Sequence, residues 1–220
     1  MIELCLGTPT WQCRYEPEDL CDADRARLPV ARAPRAERDW RVSRAAGSAL
    51  RRATGAGRNA PLALSHSNGH ALAALAPAGW ALGVDLERCR SRDVDALAGW
   101  VCTAEERRAL MAHADAAARL QYFYVLWTLK ESLLKAAGLA FPAGMAQVGL
   151  AQAGTPAAVL RAPQGQWRAM AWRLPQDWVA AAAWRPEPGT ADTHIDADAV
   201  HWLQPAPPLQ LLGHWRTPLP

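Results

Sequence analysis

The sequence predicts an α+β protein laid out as two halves of similar plan. Three observations point there. A strand, a helix and a pair of strands follow one another before Pro77-Ala78-Gly79, and a comparable order resumes after it. The strand candidates are short and alternate in polarity, and Pro175-Gln176-Asp177 sits between two of them as a hairpin turn. Finally, 220 residues bury roughly 70% of their extended surface, enough for one large or two small cores.

The first half, residues 1–79, opens on a strand at Met1–Gly7 and continues into a helix carrying Arg41, Arg44, Arg51 and Arg52. Val42, Ala45, Ala46, Ala49 and Leu50 give that helix an apolar stripe. Strands follow around Leu62–Leu64 and Leu72–Leu75. The second half, residues 80–185, starts with a strand at Trp80–Leu86. Helices are expected over Val94–Ala118 and Ala116–Ala137, then strands near Val148–Leu150, Trp167–Leu174 and Trp178–Trp184. Residues 186–220 hold seven of the 17 prolines and read as an extended, partly ordered tail. The 11 tryptophans are assigned to core and hairpin faces.

Charge is distributed unevenly. Between Trp40 and Val84 there is no Asp or Glu, while Arg41, Arg44, Arg51, Arg52 and Arg58 all fall there. Only two of the 24 basic residues are lysines, Lys130 and Lys135, five positions apart. A lysine is a compact ammonium able to give up a proton, whereas arginine stays charged and forks bidentately. On a helix Trp127, Glu131 and Lys135 share one face. Taken alone, that is an ordinary Glu–Lys surface pair.

Gly83-Val84-Asp85-Leu86-Glu87 reads as a strand whose alternation projects Asp85 and Glu87 together, with Val84 and Leu86 toward the core. Two hard carboxylates one pleat apart suit Mg²⁺, which keeps waters and takes phosphate oxygens as further ligands. Glu131 offers a third carboxylate. The arginines on one side and a metal on the other suit a small polyphosphate. Ser65 and His66, at a strand end before a polar turn, are candidate donors to an anion. A Ser–His hydrolase pair is a poor reading, because no G-x-S-x-G elbow is present. The five cysteines lack metal-ligand spacing and are odd in number, which argues against zinc and against a disulfide framework.

Ser65-His66-Ser67, Gly83–Glu87 and Trp127-Thr128-Leu129-Lys130-Glu131-Ser132-Leu133-Leu134-Lys135 together resemble the three signature motifs of the 4'-phosphopantetheinyl transferases, nearest the monomeric surfactin-synthetase-activating kind. The resemblance runs from about Arg38 to Leu150. It departs at Ala63, where the family often has Asn, and at Arg58, where it often has Lys. It implies two α/β halves related by a pseudo-twofold axis, with the active site in the cleft between them. It further implies transfer of the 4'-phosphopantetheine arm of coenzyme A to a serine of an apo acyl, aryl or peptidyl carrier protein, with release of 3',5'-ADP. Asp85, Glu87 and Glu131 would hold Mg²⁺. Glu131 or Glu105 would take the serine proton, and Lys135 would assist the leaving phosphate. Ser65 and His66, supported by Arg41, Arg44 and Arg58, would meet the 3'-phosphate, and Lys130 the cleft rim or a coenzyme A phosphate.

Two other classes compete. A basic nucleic-acid-binding module explains the arginines but not the D-x-E strand. A Mg²⁺-dependent phosphohydrolase would use the same acids with water as nucleophile. Neither a long apolar run nor a leader is evident, so a soluble, cytoplasmic monomer without membrane partner is expected.

Overall fold

The computed structural model describes residues 1–187 and 199–218. It divides into two compact units. One comprises Met1–Ala78 with the described residues of 192–207. The other comprises the described residues of 79–191 and 208–220.

In the first unit, β1 (Ile2–Gly7) lies between β3 (His70–Leu75), antiparallel to it, and β9 (Val200–Trp202), parallel to it. Strand β2 (Ala63–Ser67) completes a four-stranded sheet of order β2-β3-β1-β9 by forming a hairpin with β3. The turn uses Asn68 and Gly69, with φ of 48° and 79°, the left-handed pair a two-residue hairpin requires. Helix α2 (Pro34–Thr54) lies on this sheet, Ala46 and Leu50 packing with Cys5 and Ala73. It starts on a proline and stops at Gly55, φ 69°, a left-handed C-terminal stop. A short helix α1 (Asp22–Arg25) and two 3-10 turns, Pro9–Arg14 and Pro17–Asp19, connect β1 to α2.

The second unit has an antiparallel sheet of order β10-β7-β8-β4, made of β4 (Ala81–Arg88), β7 (Arg168–Leu174), β8 (Trp178–Arg185) and β10 (Gln210–Arg216). Helix α5 (Ala116–Ala137) lies across β4 and β8. Its start is capped by Asp115, which accepts from Ala118 N at 2.7 Å, and it ends at Gly138, φ 66°. Leu129 and Leu133 are fully buried against Ala169, Ala171, Val179, Ala181 and Ala183, each leucine contributing about 1.5–3 kcal/mol of burial. The small residues decide how close the helix comes. A Cβ on Gly83 would stand 2.2 Å from Ser132 O and 2.6 Å from Ala136 N, so α5 can cross β4 only because this position is glycine.

Two expectations are corrected and one strand is added. The single helix foreseen over Val94–Ala118 is two short ones, α3 (Val94–Val101) and α4 (Ala104–Met111). Thr103 interrupts the run by capping α4: it accepts from Glu106 N at 3.3 Å. The tail expected after 185 instead supplies β9 to one sheet and β10 to the other, although the notional tail's residues 188–198 and 219–220 lie outside the described residues. A small hairpin, β5 (Gly149–Ala151) with β6 (Val159–Arg161), adds a strand that alternation does not reveal, because three residues are too few to show a period. The turn at Gln176 and Asp177, φ 61° and 60°, joins β7 to β8 as expected.

Candidate active site

Gly83, Asp85 and Glu87 alternate on the β4 face that meets α5, so the close approach over Gly83 brings the helix against the acids. Val84 and Leu86 are fully buried on the opposite face, and Asp85 is buried as well. Both faces of β4 are therefore interior, where the sequence suggested that Val84 and Leu86 alone point inward. Lys135 donates to Asp85 Oδ1 at 2.6 Å and to Val84 O at 3.2 Å. One turn back, Glu131 is half-buried. Its pKa is raised, first by loss of water and then by the negative charge of Asp85, with Lys135 pulling the other way. Asp85, Glu131 and Lys135 thus share one electrostatic environment. Glu87 lies at the half-buried end of β4. Among the described residues no three His, Cys, Asp or Glu side chains are gathered tightly enough to hold a metal ion.

Trp127 continues the helix face into an aromatic cluster, 6.0 Å from Phe123 and 6.1 Å from Phe141 between ring centres. Lys130 goes elsewhere. It is fully buried and donates to Glu106 Oε2 at 2.7 Å, so its expected contact with a coenzyme A phosphate is overturned. Burial pushes its pKa down, and Glu106 partly restores it. Glu105, the acid singled out in the Thr-Ala-Glu-Glu start, stands half-exposed on the first turn of α4. Its neighbour Glu106 is the buried one, and reasoning from sequence passed over it. The signal was present: in a capping box the acid three residues after Thr103 turns back, and Thr103 N donates to Glu106 Oε2 at 2.8 Å.

In the first unit the arginine run proves much less bare than its sequence implies. Arg44 pairs with Asp24 Oδ1 at 2.7 Å and lies 3.8 Å over the Trp40 ring. In the ligand-free protein, the charge of Arg44, expected as a phosphate contact, is thus answered inside the fold. Arg41, exposed, pairs with Glu37 at 2.7 Å; Arg52 pairs with Asp19 and Arg51 donates to Ala60 O at 2.9 Å. Arg58 is exposed in the loop after α2. Ser65 and His66 occupy successive positions of β2, Ser65 buried and the His66 side chain 49% exposed. His66 Nδ1 stands 4.0 Å from Asp39 Oδ2, and Asp39 Oδ1 accepts from Gly69 N at 2.6 Å. Arg35 donates to Asn68 Oδ1 at 3.0 Å, and a Cβ on Gly69 would stand 3.1 Å from Arg38 Nε. Arg35 and Arg38 are therefore cations beside the turn after His66.

Residues 81–183 match the family model described as the 4'-phosphopantetheinyl transferase superfamily. This stretch, somewhat under half of the chain, is similar to that superfamily, and its α+β architecture agrees. The matched range contains Asp85, Glu87, Glu106, Lys130, Glu131 and Lys135. The family's general activity is transfer of phosphopantetheine from coenzyme A to carrier proteins, with Mg²⁺. No curated protein matches the chain.

The donor set suits such a cation in charge and chemistry. Hard carboxylate oxygens are the preferred ligands of Mg²⁺, and the mutual repulsion of Asp85 and Glu131 is what a cation relieves. No described helix is long and apolar enough to cross a membrane.

Proposed function

We propose that the chain transfers the 4'-phosphopantetheine arm of coenzyme A to a serine hydroxyl of an apo acyl, aryl or peptidyl carrier protein, in a Mg²⁺-dependent reaction that releases 3',5'-ADP. The observation that carries this reading is the coincidence of the family match with the Asp85–Lys135–Glu131 constellation within it. Asp85, Glu87 and Glu131 would hold the metal. When bound it neutralises pyrophosphate charge and polarises the phosphorus under attack.

The remaining work falls to side chains. Serine Oγ forms a bond to the phosphopantetheine phosphorus as the bond from that phosphorus to the ADP oxygen breaks. Glu131 takes the serine proton, directly or through water. Glu105 is the second candidate base. Lys135 serves Asp85 as counter-ion in the ligand-free enzyme and presents its ammonium to the leaving ADP phosphate. Arg41, Arg58, Ser65 and His66 receive the 3'-phosphate end of coenzyme A. Carrying both units in one chain fits a monomer, and we place it in the cytoplasm.

Intact-mass spectrometry of an apo acyl carrier protein mixed with coenzyme A, Mg²⁺ and the enzyme tests the reading. The carrier is expected to gain one phosphopantetheine arm. Free phosphate with an unmodified carrier would instead support a phosphohydrolase, and neither product would support a binding module.

A further inference from the structure

Glu106 and Lys130 are both fully buried, and a buried ion pair is an uncertain source of stability, because desolvation offsets much of its attraction. Here the carboxylate is fully satisfied. Oε2 accepts from Lys130 Nζ at 2.7 Å and Thr103 N at 2.8 Å, while Oε1 accepts from Leu150 N at 2.9 Å and Arg161 at 3.0 Å. The backbone closes tightly around it. Gly149 has φ 130°, and a Cβ there would stand 2.0 Å from Oε1 and 3.2 Å from Lys130 Nζ. One carboxylate therefore ties together α4, α5 and the β5–β6 hairpin.

The surface beneath α5 explains why such a tie matters. Gly83, Ala181 and Ala183 let the helix come close without a large side chain of their own to key its rotation. Lys130 and Glu131 are consecutive, so they lie about 100° apart around the helix axis. Fixing the direction of Lys130 fixes that of Glu131, and with it that of Lys135 one turn on.

We propose that Glu106 is a positioning residue that, through Lys130 and Arg161, sets the rotation of α5 at which Glu131 and Lys135 face Asp85. The inference rests on the transferase reading for its effect on rate, but not for its effect on structure.

The experiment separates anchoring from mere stability. Lys130→Met leaves Glu106 short of a partner and is expected to destabilise strongly. In Glu106→Gln/Lys130→Met both charges are gone, and much of the stability should return, as it often does when a buried pair is replaced as a whole. In that double variant kcat with an apo acyl carrier protein, coenzyme A and Mg²⁺ should nevertheless stay at least about tenfold below wild type with KM little changed, since an ångström of misplacement costs up to ~10²-fold. Its crystal structure should show Lys135 displaced from Asp85. Arg161→Met, on the network's half-exposed side, provides a variant expected to fold and to lose several-fold in kcat. Wild-type kcat in either folded variant, or a Lys135–Asp85 contact unchanged in the crystal, overturns the assignment. A wild-type enzyme that transfers nothing would sink the transferase reading instead, leaving the crystal structure to decide the positioning.

Discussion

Helices α2 and α5 are almost the same length, 21 and 22 residues, and each stops at a left-handed glycine, yet they handle charge in opposite ways. On α2 the arginines are plentiful and most are exposed or half-exposed, held by partners such as Glu37, Asp19 and Asp24. On α5 the only two lysines of the chain each grip one buried carboxylate, Lys130 to Glu106 and Lys135 to Asp85. Exposed pairs in water typically contribute 0–1 kcal/mol and yield readily to a competing anion. Buried pairs fix geometry, because breaking one leaves a charge stranded. The contrast suggests a division of labour in which α2 arginines are suited to binding and α5 lysines to holding reactive groups in place.

The largest effect that would sharpen this contrast is at Glu106. Glu106→Ala strands Lys130 and removes the acceptor for Thr103 N and Leu150 N. It should lower unfolding free energy by about 3–5 kcal/mol in urea titration, the usual range for a broken buried pair. A loss within the noise would mean that the burial is not what holds the network. Lys130→Arg comes next. The guanidinium has no space beside Gly149, so overpacking of about 1–3 kcal/mol is expected by the same titration, the reverse of the tolerance that a rim lysine would show.

Glu131→Gln tests the reactive end. In the native state burial and Asp85 raise the Glu131 pKa above its ordinary 4.5. The folded protein then keeps this proton to higher pH than the unfolded chain does. Its favourable contribution is present below 4.5 and is lost as pH rises through the raised value. The ligand-free Gln variant should therefore be slightly more stable than wild type at neutral pH, by about 0.5 kcal/mol on the scale of like-charge contacts. That advantage should vanish in acid. Calorimetric Tm values across pH check both the size and the sign. Smallest of all is Arg41→Ala. With an exposed Glu37 pair as its main tie, thermal unfolding should move by no more than about 0.5 kcal/mol.

The difference between α2 and α5 also marks what sequence can disclose. Strand β4 and helix α5 were legible because the D-x-E alternation and the two-lysine motif carry their own periods. Their meeting was legible only in part: Gly83 announces a close approach, but not which helix makes it. Glu106 was missed although the capping box pointed to it, because the adjacent Glu105 looked equally good without the third dimension. The arginine run misled for a related reason. Asp19, Asp24 and Glu37 are upstream in sequence yet beside the run in space. Strands β9 and β10 hid among prolines, since their pairing comes from partners far away in the chain.

Steady-state kinetics of carrier modification on Asp85→Ala, the carboxylate gripped from α5, beside Arg58→Ala, in the basic loop that follows α2, tests most directly the split between groups that react and groups that bind. Asp85→Ala is predicted to cost about 10²-fold or more in kcat, by comparison with the 10–100-fold losses typical of outer-shell groups at metal sites. Arg58→Ala should raise KM for coenzyme A while leaving kcat near wild type, the mark of a group that binds ground and transition states alike. Near-wild-type kcat for Asp85→Ala, or a fall in kcat alone for Arg58→Ala, would contradict the account.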